Sequence, residues 1–150
     1  MNSKEFKEIF GEIAKNNAFE SAFGGWFNDG VDSIVVLDLQ KSNYGEYFEL
    51  NIKIYVQGMF GNNYFRNKDL VKKEIGNVSR RQPSEYRSLF NFDEPMNDQV
   101  RKNRLEQFFT EFITPFTERA LSISGLLELE KRKEIHITPA VNEELNRLLK

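Results

Sequence analysis

A chain of 150 residues with 39% hydrophobic and 29% charged side chains has the size and balance of one folded domain, so a single α+β unit over residues 1–150 is expected and wholesale disorder is excluded. With no cysteine and one histidine, His136, it can form neither a disulfide, nor a thiol nucleophile, nor a Cys/His zinc site. A net charge of −2 offers no global field for nucleic acid, although the charge is uneven: residues 1–50 carry four Lys/Arg against nine Asp/Glu, and residues 66–104 carry ten against six.

The opening Met-Asn-Ser-Lys-Glu runs straight into a charged amphipathic segment, and no apolar run approaches the length of a membrane span. A cytoplasmic protein with no membrane partner is expected. Phe6, Ile9, Phe10 and Ile13 recur at helical spacing, with Asn2 or Ser3 as the N-cap, and predict a first helix ending near Asn16-Asn17. Residues 19–27 read as one strand disturbed at Gly24-Gly25, joined through the turn Asn28-Asp29-Gly30 to a second strand over about 33–42. That second strand sets Val35, Leu37 and Leu39 on one face, and Ile34, Val36, Asp38, Gln40 and Ser42 on the other.

The clearest strand follows, because Phe48, Leu50, Ile52, Ile54 and Val56 alternate without a break with Tyr47, Glu49, Asn51, Lys53 and Tyr55. One face should pack on helices and the other should meet solvent or a partner. Beyond Gly58 and Gly61, a short helix is expected over 68–74, then strands around Val78–Arg81 and Tyr86–Phe90. Pro95 marks a helix start, and Val100, Leu105, Phe108, Phe109, Phe112, Ile113 and Phe116 form its apolar stripe, with Pro115 at its end or at a kink. A shorter helix over 125–131, a brief edge strand Ile135-His136-Ile137, and a last helix capped by Thr138-Pro139 complete the reading. The sum is an antiparallel sheet of four or five strands with helices mainly on one face.

The segments Leu39-Gln40-Lys41-Ser42, Gly45 and Phe48-Glu49-Leu50-Asn51-Ile52, following a helix and an aromatic hairpin, resemble the bacterial family catalogued as domain of unknown function 4304. The resemblance covers roughly the first 60 residues, with Arg80-Arg81 fitting more loosely. Ala18-Phe19 stands where members of that family carry a Gly-Phe pair, and the one tryptophan, Trp26, lies inside the hairpin. The resemblance implies a small bacterial α+β domain and brings no catalytic residue and no cofactor.

No constellation of catalytic or metal-ligating residues is legible, so no catalytic, cofactor or metal residue is assigned. His136 lacks a nearby acid or nucleophile, and the glycine pairs lack the lysine and the strand-to-helix setting of a phosphate loop. The binding surface expected instead is the polar sheet face: Asp38, Gln40 and Ser42 beside Tyr47, Glu49, Asn51, Lys53 and Tyr55, where short hydrogen-bonding groups mix with both charges and with tyrosine. Arg80 and Arg81 join it, from a basic group that also holds Arg87, Arg101, Lys102 and Arg104. The function expected is a non-catalytic binding protein, of immunity or accessory type, that holds a protein partner on this face. The rival is an enzyme or a small anionic-ligand domain with Arg80 or Arg81 gripping the ligand in a pocket.

Overall fold

A computed structural model describes residues 1–150 and shows an α+β fold built on one five-stranded antiparallel sheet in the order β1-β2-β3-β4-β5. The strands are β1 (Glu20–Ala22), β2 (Gly25–Asp29), β3 (Ser33–Lys41), β4 (Phe48–Val56) and β5 (Val78–Arg81). The expected strand over 19–27 is in fact two strands. Phe23 at φ 53° and Gly24 at φ 82° turn the chain back within two residues, and such paired positive φ values match the twist of a tight hairpin. Gly25 is held bare by its neighbours, since a Cβ there would stand 2.9 Å from the Leu37 carbonyl and from Val71.

The alternation of β3 and β4 sets the layers. Leu37 pairs with Ile52 and Val35 with Ile54, so both rows project to one face. There they enter a core of thirty buried residues with α1 (Ser3–Asn16) and with the C-terminal helices. Phe10 of α1 lies 4.8 Å from Trp26 and 5.1 Å from Phe109 between ring centroids, which ties the first helix to the hairpin and to the long helical segment. The cap of α1 is the expected one, with the Asn2 side chain accepting the Glu5 N–H at 2.8 Å.

Three further elements differ from the sequence expectation, each for a local reason. Residues Ser84–Phe90 form a 3₁₀ turn, not a strand, because Gln82-Pro83 ends β5 and Pro83 has no N–H to continue the ladder. The helix expected at Pro95 begins three residues later, where the Asn97 side chain accepts the N–H groups of Gln99 and Val100. Ile135-His136-Ile137 pairs with no strand and follows a bend: both isoleucines are buried beneath the sheet and His136 is exposed.

The long helical segment consists of α3 (Asp98–Phe108), a π-helical turn (Phe109–Ile113) and α4 (Thr114–Ala120), and Pro115 falls in the first turn of α4 without ending the segment. Val100 points to solvent. Arg101 is the buried residue at that end, its guanidinium donating to the carbonyls of Ser88, Leu89, Asn91 and Glu94 at 2.7–3.3 Å. Two further helices, α5 (Ile123–Lys131) and α6 (Pro139–Leu149), close the helical layer, and no helix is long and apolar enough to cross a membrane.

Candidate functional site

The second face of the sheet is divided, and the division defines the site. At one end Phe27, Ile34, Val36 and Tyr55 form a smaller apolar cluster covered by Leu70 and Val71 of α2 (Lys68–Lys72). That helix starts under the Asn67 side chain, which accepts the N–H groups of Asp69 and Leu70, and it lies across the sheet at Val36 and Tyr55. The face expected to be open along its whole length is therefore open only beyond α2.

The residues that hold α2 in place come from the predicted surface. Tyr55 donates its hydroxyl to the Leu70 carbonyl at 2.7 Å, and Lys53 donates its ammonium to the Val71 carbonyl at 2.6 Å. Both carbonyls belong to the last turn of α2, whose groups have no partner within the helix. Tyr55 and Lys53 are thus buried docking residues and not contacts offered to a partner. Replacing Tyr55 by Phe leaves the Leu70 carbonyl without its donor and should lower stability by about 1 kcal/mol in chemical denaturation. An unchanged midpoint and slope would show that this hydrogen bond contributes nothing.

Beside them Asp38 lies between two lysines, 3.8 Å from the Lys53 Nζ and 3.6 Å from the Lys72 Nζ. Burial pushes the Lys53 ammonium below its ordinary value, while Asp38 pulls it back up and the nearby Lys72 adds to the fall. The group is arranged to keep a buried cation charged, by a carboxylate on one side and a helix-end carbonyl on the other.

From this point a recess of about 550 Å³ opens between α2 and the end of the sheet. Asp38, Asn51 and Lys53 form its floor, Lys72 and Lys73 stand on the α2 side, and Gln40 and Arg81 on the other. The floor is ordered by cross-strand bonds: the Asn51 amide donates to Gln40 at 2.9 Å, and Arg81 Nε donates to the Asn51 Oδ1 at 3.4 Å. Arg81 lies 3.9 Å from Glu49 and stays more than half exposed, and Lys73 makes no ion pair. Glu74 is the one other carboxylate on the lining, which contains only two hydrophobic residues, Leu39 and Ile75.

The remaining expected residues are dispersed. Arg80 pairs with Ile52 and so belongs to the helix-covered face, opposite to Arg81. Its guanidinium lies 4.9 Å over the Phe112 ring and donates to the Glu134 carbonyl at 2.6 Å, so it is anchored at the edge of the core, while the residue still contributes to the lining of the recess. Ser42 lies just past β3 and accepts the Tyr44 N–H, and Tyr47 sits ahead of β4 in an isolated bridge with Asn91. The basic group read from the sequence is not a patch either, since Arg80 and Arg101 are each bound to backbone carbonyls. Lys72 and Lys73 are cations of the recess that the sequence reading missed. Lys72 ends α2 and Lys73 follows it, and only the docking of α2 sets Lys72 beside Asp38 and Lys73 on the wall of the recess.

No three His, Asp or Glu side chains converge in a cluster that could hold a metal ion. A scan of family models and searches of curated proteins and of solved structures returned no match to this chain.

Proposed function

We propose that this chain is a non-catalytic binding protein, of immunity or accessory type, that holds a protein partner at the open end of its sheet, with a carboxylate of the partner seated in the recess. One observation carries the reading. A chain of net charge −2 gathers Lys72, Lys73 and Arg81 around a polar floor whose own acid, Asp38, is already shared by Lys53 and Lys72. Cations outnumber the acids they pair with here, Lys73 having none and Arg81 only Glu49 at 3.9 Å, and this excess favours an anionic visitor, for which an Arg fork beside amide groups suits a carboxylate. The bacterial family that residues 39–52 resemble belongs to the same proposal and adds a setting without adding an activity.

A small anionic molecule is the rival occupant of this recess. The volume suits one, but pockets for small ligands are lined mainly by apolar side chains, and only Leu39 and Ile75 are hydrophobic among the thirteen residues of this lining. Partner proteins captured by the wild-type chain should be lost from a Lys73→Glu/Arg81→Glu chain, with affinity for any purified partner falling at least about tenfold and weakening with added salt. Both positions are exposed, so the variant should melt as the wild type does. Retention of the same partners by the folded variant would overturn the proposal. Charge reversal at Lys53 would be no test, because its side chain is buried under α2.

A further inference from the structure

The recess stops at β5, the last strand of the sheet, and β5 has an unpaired outer edge. On the β4 side, the Leu50 and Val56 N–H groups reach the side chains of Gln82 and Asn77, and the Ile54 carbonyl accepts the Asn77 N–H. Even-numbered residues of β4 therefore point their backbone groups at β5. By the register Ile52↔Arg80, the ladder is made through Arg80, and Ser79 and Arg81 turn their N–H and C=O groups outward, where the Arg81 carbonyl accepts the Arg80 Nε at 3.0 Å and the other three groups are open. No backbone hydrogen bond outside the ladders involves either residue.

Along this edge runs a second cleft of about 620 Å³, floored by Glu134–Ile137. The Ile135, His136 and Ile137 N–H groups of this floor also make no backbone hydrogen bond, and it is fixed in place by the buried Ile135 and Ile137 and by Arg80 donating to the Glu134 carbonyl. Arg81 and Lys133 line the cleft together with Glu130 and Glu134, and it is continuous with the more cationic recess through Ser79 and Arg81.

We infer that the edge of β5 is a strand-addition site: an extended, acidic segment of the partner pairs with Ser79 and Arg81 and completes a sixth strand, while an acidic side chain of that segment enters the recess. This rests on the reading of the recess given above and specifies the shape of its occupant. Backbone pairing supplies affinity without sequence preference, and the cations select acidic side chains at alternate positions. A second copy of the chain is disfavoured as the occupant. Edge-to-edge pairing would set Arg80 and Arg81 of both copies together, and like charges across a ladder repel.

The probe is a terminally blocked peptide alternating valine with glutamate, used beside a version N-methylated on one backbone edge and a version with lysine for glutamate. Millimolar peptide should slow amide exchange at Ser79 and Arg81 by about tenfold or more, and the two control peptides should not. Ser79→Pro removes an outward N–H that no ladder bond uses, a place where an edge strand tolerates proline, so it should abolish binding while leaving the fold and the recess intact. Binding that Lys73→Glu/Arg81→Glu destroys but that Ser79→Pro and N-methylation do not touch would overturn strand addition and leave the recess standing. Protection at Ser79 and Arg81 that ignores the charge reversal would keep the edge and sink the recess. No protection at all, or protection without peptide in a chain of dimeric mass, would overturn the inference.

Discussion

Truncation of Ile52 or Phe108 to alanine should cost about 2–5 kcal/mol, a large part of the stability of a typical domain. Ile52 is wholly buried at the centre of β4 and pairs with Leu37, so nothing on the sheet can relax into the space it leaves. Phe108 is enclosed by Tyr86 at 4.7 Å, Phe90 at 5.5 Å and Phe112 at 5.7 Å between ring centroids, and its loss would open the junction of the 3₁₀ turn with the long helix. Asn51, one residue from Ile52 but on the open end of the other face, should lose only ~0.5 kcal/mol on truncation, mainly its bond to Gln40. Urea denaturation of the three variants decides the matter. Equal losses at Asn51 and Ile52 would mean that this end of the sheet is covered too, and no site would remain there.

Asp38→Ala should be the most damaging polar substitution, at about 3 kcal/mol, because it strands a buried ammonium with only the Val71 carbonyl for company. The deficit should depend on pH, and its sign follows from proton binding. Burial already holds Lys53 below the ordinary lysine value of 10.5, and loss of Asp38 removes the charge that opposes this fall. The unfolded chain then holds more protons than the folded one between the lowered value and 10.5, so the stability of the variant rises with pH across that window and its deficit shrinks. Tyr55, whose phenol is raised above 10.0 by burial and in small part by Asp38, costs stability above pH 10; the variant, raised less, loses less there, so this effect also shrinks the deficit. An Asp38→Leu/Lys53→Met chain, which replaces the pair by apolar volume, should recover most of the loss. A deficit that grows toward alkaline pH would show that Asp38 acts other than through Lys53.

The main core was legible because both β4 and α1 carry an unbroken period, and period fixes which side chains share a face. The site was legible only in half. Asp38, Gln40, Asn51 and Arg81 were placed by strand alternation, which holds however the rest of the chain folds. Lys53 and Tyr55 obey the same alternation, but their burial depends on a five-residue helix seventeen or so positions later, and no local pattern says where a helix that short will dock. Arg80 touches the recess lining but is anchored on the other face. Alternation places it opposite to Arg81, and grouping the two arginines by charge set that rule aside.

The π turn at Phe109–Ile113 explains a feature of the apolar stripe that a helical period does not. Leu105, Phe109 and Ile113 are buried at steps of four, and so are Phe108, Phe116 and Ala120, with Phe112 packed against the core between them. A regular helix advances about 100° per residue, so a step of four overshoots a full turn by about 40° and Phe108 and Ala120 would face directions about 120° apart. The wider turn unwinds that excess and returns both to one core. The segment thus carries one residue of slack: without it the same two ends would fall about 20° apart on an unbroken helix. Shortening the chain at the exposed Thr110 would restore regular winding with both ends still in phase, whereas a deletion within α3 or α4 would rotate one docked end away from the sheet.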